Sequence, residues 1–440
     1  MGSHDGKPEG FRKLSNLRRP HMYFAKIAQK LRAQIIRFSG ELSAGLPKVM
    51  GRFVAEMIFG IQARGSVRLT EIGRALGESI SIKKTEERLC RQLGRRDVEL
   101  EIQPRLIQQA APRIEDDTLL VLVLSDLTKK YAQKMEYLAR VRDGSEKELS
   151  WGYWTLNIIG TNTKGSKIIP LYGRLFSHAV PGHRSENVEI REAIGMVAEG
   201  VKKRGIWEMD RGGDRDYVFH YLLHKKLRFL IRLRGDRDLR TAQGKDEALA
   251  LARSCPVLFF ETVVREEAGK ERLVRLACGM RKVRLPERDD ELTLVVAREN
   301  GEEPLMILTN LPVRRSRKSL WHIIASYVTR WRIEDVIRFL KQSYQLEDIR
   351  CLTYRRLQAM MALVTAAAYF AAVYLGLKMK LRVLSRHLLV ASKRVFGIPD
   401  FRLYALADGI KHFLYSQTQG LKRLLDEINP PIAQLSLFSS

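Results

Sequence analysis

An α/β fold with a mixed sheet at its centre is what this 440-residue sequence predicts, on three observations. Residues 118–124 form an apolar run rich in Leu and Val, the mark of a strand buried on both faces, and it gives out at Ser125-Asp126. Residues 151–161 and 167–176 read as two further strands joined by the turn-rich link Asn162-Thr163-Lys164-Gly165-Ser166. Residues 184–203 then place Val188, Ile190, Ile194, Val197 and Val201 on a helix that Gly205 follows, and 206–209 return as a short strand leading into Asp210.

After Asp210 come Arg211-Gly212-Gly213, a helical stretch over 214–227 and a strand over 229–233. Strand, strand, strand, helix, strand, helix, strand is the order of a ribonuclease H-like core, a mixed five-stranded sheet with helices against it. From 256 to 311 the pattern is β-rich, with strands over 257–264, 273–284, 292–297 and 305–311 separated by charged turns such as Glu299-Asn300-Gly301-Glu302-Glu303. This predicts an inserted β subdomain. The expected layout is a helical DNA-binding domain over 1–115, core over 116–240, insert over 241–316, core again over 317–378, and a helical C-terminal region over 379–440.

Within the first of these, 67–77 and 79–93 resemble a helix-turn-helix. Thr70 is the expected N-cap, Ile72, Ala75 and Leu76 give a short apolar face, Gly77 is the stop, and Arg88, Arg91, Arg95 and Arg96 come late in the second helix. Such pairs also serve purely structural ends. The basic run Arg314-Arg315-Ser316-Arg317-Lys318 reads as a linker, either solvated or touching an anion. In the C-terminal region, Leu384, Leu388, Leu389, Val390, Leu421, Leu424 and Leu425 suit either a contact with a second copy or a helix pair closing the domain.

Charge narrows the partner. Lys and Arg number 77 against 50 Asp and Glu, a net +27 spread along the whole chain. A polyanion is implied, nucleic acid first and an anionic membrane surface second. Cys90, Cys255, Cys278 and Cys351 form neither a C-x-x-C pair nor a disulfide framework and read as reduced thiols of a cytoplasmic protein. Residues 1–20 are polar and basic, with no apolar core of a secretory signal. Residues 360–377 carry no charge, but they are Ala-rich and include Thr365, Tyr369 and Tyr374, which predicts a helix buried in the protein and no membrane partner.

Residues 327–341 contain neither Gly nor Pro and repeat Ile333, Val336, Ile337 and Leu340 at the spacing of one apolar helix face. At about 100° per residue, Tyr327, Arg330, Glu334 and Lys341 fall on a narrow stripe beside it, about 21 Å long. A carboxylate flanked by two cations and a phenol is what a solvated, salt-bridged face would also carry. With Asp126 and Asp210 expected at neighbouring strand ends, Glu334 adds a third hard oxygen ligand, a set that suits Mg²⁺ or Mn²⁺ and two-ion phosphoryl transfer. Glu208, Asp214 and Asp216 compete with Asp210, and Glu347 and Asp348 with Glu334; Asp126 alone is equally a strand-end cap.

The pattern Tyr327-x2-Arg330-x3-Glu334-x6-Lys341 resembles the signature of the bacterial DDE transposases of insertion-sequence family four, the cut-and-paste group. Asp126-Leu127-Thr128, residues 134–145 and Gly152-Tyr153-Trp154 resemble the surroundings of that family's first catalytic Asp, and Asp210-Arg211-Gly212 those of the second. The likeness spans about residues 116–378; Glu208 stands where the family usually has an apolar residue. The resemblance implies a ribonuclease H-like core with a β insertion and two Mg²⁺ ions, Mn²⁺ substituting, held by Asp126, Asp210 and Glu334. It implies phosphate contacts from Tyr327, Arg330 and Lys341, with Arg211 also on DNA. It further implies nicking at inverted-repeat ends, a hairpin intermediate, strand transfer to target DNA, and a homodimer cutting in trans. Base flipping by a Trp is known in the family, and Trp321 and Trp331 lie near this helix. The rival readings are a catalytically inactive, transposase-derived DNA-binding regulator and a junction or repair nuclease on the same core.

Overall fold

Five helices precede the first strand of the computed structural model, which describes residues 18–95, 98–142, 148–267, 270–391 and 402–415. They are α1 (Arg18–Leu42), α2 (Lys48–Arg64), α3 (Leu69–Leu76), α4 (Ile82–Leu93) and α5 (Val98–Ala110). In α1, Leu31, Ile35, Phe38 and Leu42 recur at helical spacing and are all buried. Gly65 and Gly77 end α2 and α3 in the left-handed conformation, at φ 58° each, where a side chain would be strained. The expected Thr70 cap is not made: α3 starts at Leu69 behind an extended Arg68 with no side-chain cap, while Ser81 caps α4 by accepting from the Lys84 N–H.

The α3–α4 pair occurs where the sequence placed it. Arg88 points inward, bonded to Glu56 and, at 3.0 Å, to Glu78, while Arg91 and Arg95 face outward with Lys83 and Lys84. Arg96 lies outside the described residues.

Strands β1 (Leu119–Thr128), β2 (Ala139–Arg142), β3 (Leu149–Thr161) and β4 (Ile168–Phe176) come next. Helix α6 (Glu186–Gly200), strand β5 (Ile206–Met209), helix α7 (Asp216–His224) and strand β6 (Arg228–Arg232) follow. β3 lies antiparallel to β1 and β4, whereas β1, β5 and β6 run parallel, giving the neighbour order β4-β3-β1-β5-β6. The strand expected to stop before Asp126 continues through it, because Ser125 to Thr128 stay paired with Thr155 to Gly152 of β3. Its pairing with β5 covers only Leu119 to Val121, opposite Ile206 to Glu208.

The chain then adds a small hairpin, β7 (Asp238–Thr241) with β8 (Gly244–Glu247), and the short helix α8 (Ala248–Arg253), none of which the sequence reading resolved. Four longer strands complete the sheet: β9 (Phe259–Glu267), β10 (Lys270–Val283), β11 (Leu292–Arg298) and β12 (Leu305–Thr309). These were expected as a β subdomain beside a five-stranded core. In the structure they continue the core sheet, since β12 pairs antiparallel with the open edge of β6, Ile307 opposite Arg232 and Thr309 opposite Leu230. Among the described residues, ten strands therefore share one mixed sheet.

Helix α9 (Arg317–Ser343) is capped by Ser316, so the basic run 314–318 is the entry to a helix, and Arg317 grips Glu261 with two nitrogens. Helix α10 (Tyr354–Tyr369) continues through a π turn over Phe370–Tyr374, and α11 (Leu377–Ala391) and α12 (Arg402–Tyr415) close the described part. The stretch Tyr354–Tyr374 is long and apolar enough to cross a membrane, yet 78% of its most apolar window is buried. It packs on β4 and on α2 and α5; at Gly173 of β4 a Cβ would lie 2.1 Å from Thr365 Oγ1, so only glycine allows this approach. Leu421, Leu424 and Leu425 of the expected C-terminal helices lie outside the described residues.

Candidate active site

Helix α9 crosses the sheet against β1, β10 and β11. Its face is set by Val336, Ile337 and Leu340, all buried as their spacing predicts; the Ile333 side chain lies outside the described residues. The polar stripe beside them is not a solvated face. Tyr327 is 1% and Arg330 6% exposed, whereas the Glu334 side chain is 53% exposed. Burying a guanidinium requires partners. Arg330 Nη1 donates to Glu334 Oε1 at 2.9 Å, and its guanidinium carbon lies 5.7 Å from the Tyr327 ring centroid. Burial alone would lower the Arg330 pKa, but its electrostatic interactions with Tyr327, Asp210 and Glu334 outweigh it and hold the guanidinium protonated. Burial also raises the Tyr327 hydroxyl above its usual range, against the pull of Arg330 and Arg232.

Three turns further along α9, Lys341 reaches the sheet. Its Nζ lies 3.4 Å from Asp126 Oδ2 and 3.7 Å from Glu347 Oε1, so it bridges β1 and the turn after α9. Asp126 is 9% exposed. Its backbone position is fixed by pairing with Trp154, and the next pair but one, Thr128 with Gly152, is tight. A Cβ on Gly152 would stand 2.3 Å from the Leu127 carbonyl oxygen.

Asp210 is exposed just past the end of β5, where its Oδ1 accepts from the Gly212 N–H at 2.8 Å and orders the turn. The competing acids have other fates. Asp214 is fully buried and bonded to Arg237 Nε at 2.6 Å and the Arg234 N–H at 2.7 Å, and Asp216 also pairs with Arg237. Glu208 is 0% exposed with no hydrogen-bond partner on either carboxyl oxygen among the described residues, and burial pushes its pKa well above the carboxylate range despite Arg330 nearby. Glu347 shares Lys341, and Asp348 binds Arg68 at 2.6 Å.

The seven residues expected at the site thus divide. Arg330 links Glu334 and Asp210 electrostatically, with Tyr327 against it; Lys341 holds Asp126; Arg211 turns aside and pairs with Glu303 at 2.5 Å. Three carboxylates are the right donor chemistry for a hard divalent ion. As they stand, however, Glu334 is paired with Arg330, Asp126 with Lys341 and Asp210 with its own turn, and no group of three or more His, Cys, Asp or Glu among the described residues is spaced to hold a metal. Asp126 lies five residues past the last β1–β5 pair and Asp210 two residues past it, a stagger of about 10 Å of strand. Trp321 packs partly buried on the core, and the Trp331 side chain lies outside the described residues.

Lys129 was missed. Only 8% exposed, it donates from Nζ to the Glu347 carbonyl and, at 2.8 Å, to the Ile349 carbonyl, fastening the end of β1 to the turn after α9. Burial lowers its pKa to about 8, against the opposing pull of Asp348 and Glu347. Its position three residues after Asp126 was the available signal, but a Lys-Lys pair before a polar segment reads as solvated.

Residues 145–370 match the family described as Transposase DDE domain. Asp210, Glu334 and the stripe on α9 lie inside that span, and Asp126 precedes it. No curated protein matches the chain. Among solved structures, the cryo-EM structure of a piggyBac transposase synaptic complex with hairpin DNA is similar over 96% of this chain and 84% of that one, at a TM-score of 0.45 and 13% identity.

Proposed function

The chain belongs to the Transposase DDE domain family, and we propose that it is a cut-and-paste DNA transposase of the insertion-sequence family-four kind, cleaving transposon ends and joining the 3′ ends to target DNA. The observation that carries this reading is the buried Arg330, which answers both Asp210 and Glu334 within the matched span. The strand order β4-β3-β1-β5-β6, with β1, β5 and β6 parallel, supports a ribonuclease H-like core. A net charge of +27, with Lys83, Lys84, Arg91 and Arg95 outward on and after α4, supports duplex binding.

In this reading Asp126, Asp210 and Glu334 would hold two divalent ions, Mg²⁺ with Mn²⁺ as substitute. When bound, such ions lower the pKa of an attacking water or hydroxyl and offset charge at the phosphorus centre. The protein's own part is an exchange of partners. Lys341 and Arg330 now neutralise the carboxylates; as a phosphodiester enters, their charge passes to its oxygens, a point charge from Lys341 and a planar fork from Arg330. That exchange releases the acids in the same movement. Arg330, already oriented by Tyr327, keeps its geometry through it. A water first opens one strand at the transposon end; the 3′ hydroxyl so freed then attacks the opposite strand, forming one phosphodiester and breaking another to leave a hairpin. The active species is a homodimer bound to paired ends in the bacterial cytoplasm.

Asp126→Ala, Asp210→Ala and Glu334→Ala should each abolish Mg²⁺-dependent cleavage of a duplex carrying the inverted repeats that flank the coding region, while gel-shift affinity for that duplex stays within a few-fold. Normal cutting by any one of them removes that residue from the site. The absence of a ready three-acid group among the described residues favours a second reading, an inactive DNA-binding regulator. Cleavage by the unmodified chain excludes it.

A further inference from the structure

A cavity of about 720 Å³ opens between residues 128–135, which begin two residues after Asp126 and leave β1, and residues 347–350 and 352, which follow α9. Its volume falls in the range of sites for single small organic molecules, about 300–1,000 Å³. The two walls are tied together: besides the Lys129 bonds, the Glu136 N–H donates to the Leu352 carbonyl at 2.8 Å and the Tyr354 N–H to the Glu136 carboxylate at 2.8 Å. The cavity is therefore a braced cleft.

Its lining has a definite chemistry. Exposed Lys130, Lys134 and Arg350 supply positive charge, and the two acids in the wall are answered from outside, Glu347 by Lys341 and Asp348 by Arg68. The cleft is thus net cationic. Tyr131 stands on its rim at 89% exposure, an aromatic face left in solvent, with Met135 and Leu352 as apolar surface near it. Cations for a phosphate and a ring for a π-face are the two elements by which proteins hold single-stranded nucleic acid without reading its sequence. Glu347 joins the cleft to the candidate active site, since the lysine it shares is the one on Asp126.

We infer that this cleft takes one unpaired nucleotide of a DNA strand passing Asp126, its phosphate between Lys134 and Arg350 and its base stacked on Tyr131. The inference rests on the DNA-binding part of the proposed function, and its test needs neither metal nor cleavage.

The full chain in chelator, at one fixed salt concentration, is titrated by fluorescence anisotropy into a labelled eight-thymidine strand and into a backbone of equal length without bases. Both carry the same phosphates, so their ratio isolates the base. The unmodified chain should prefer the thymidine strand by about tenfold or more, the worth of stacking a base on an aromatic side chain. Tyr131→Ala should bring the ratio close to one; its high exposure leaves the fold intact. Lys134→Ala with Arg350→Ala should weaken both strands alike and, in a salt series, lower the slope by about 0.7 for each phosphate that these two side chains neutralise. A ratio unchanged by Tyr131→Ala overturns the inference, as does an equal fall in affinity for a fully paired duplex. Competition by free thymidine monophosphate at matched nucleotide concentration would assign the cleft to a free nucleotide and overturn the strand. Cutting by Asp126→Ala would sink the proposed catalytic role and leave this result untouched.

Discussion

Lys129→Met isolates the fastening between β1 and the turn after α9. Methionine keeps the length of the side chain and removes the ammonium. Two terms oppose each other. The wild-type bonds to the Glu347 and Ile349 carbonyls are charge-assisted, worth about 1.5–3 kcal/mol each. Against them, the fall of the pKa from 10.5 to about 8 reflects roughly 3 kcal/mol of burial cost to the charged form, at about 1.4 kcal/mol per pH unit. At pH 7 the variant should therefore be less stable by only about 0–3 kcal/mol.

The pH dependence is the sharper test. Because the folded pKa is lowered, the unfolded chain binds more protons between pH 8 and 10.5, and this residue makes wild-type stability rise with pH in that window. The gain reaches about 2 kcal/mol by pH 9.5. The groups facing Nζ are Glu347, Asp348, Arg350 and Cys351, and all remain in the variant, so their titration cancels in the difference. Urea unfolding of both proteins at pH 7 and 9.5 should show the gap widening by about 2 kcal/mol. A gap that stays constant refutes a buried, charged Lys129 at neutral pH.

Gly152→Ala places a methyl 2.3 Å from the Leu127 carbonyl and 2.9 Å from Val141, so it should destabilise by about 1–3 kcal/mol in thermal melting and cut DNA more slowly than that deficit explains; unchanged melting and cutting would contradict the β1–β3 register. Glu208→Leu should gain stability over wild type as pH rises above the ordinary carboxylate range: the raised folded pKa gives a contribution present below the unfolded value and lost as pH rises through the folded one, and melts that keep a fixed spacing would place the carboxyl in solvent. Lys341→Ala should weaken binding of a cleaved end and reduce its salt slope by about 0.9, the equivalent of one phosphate; an unchanged slope assigns Lys341 to Asp126 alone.

What the sequence made legible follows from which forces are local. The helix face of Val336, Ile337 and Leu340 and the buried run of β1 are written in apolar periodicity, and both formed as expected. The insert was read as an inserted β subdomain with no strand partner named, because strand pairing is non-local: nothing within residues 305–309 says that their partner is β6. The same holds at the site. Four residues on one stripe could be named from spacing alone, yet spacing gave Tyr327 and Arg330 no depth, and depth decides their chemistry. A solvated Arg330 would be a mobile cation worth little to Glu334; a buried one is obliged to keep an anion beside it. Exchanging Glu334 for phosphate meets that obligation without leaving the guanidinium unpaired at either end of the movement. The stripe is suited to passing charge between protein and DNA because Tyr327 and Arg330 are buried in it, the one property that its sequence spacing does not carry.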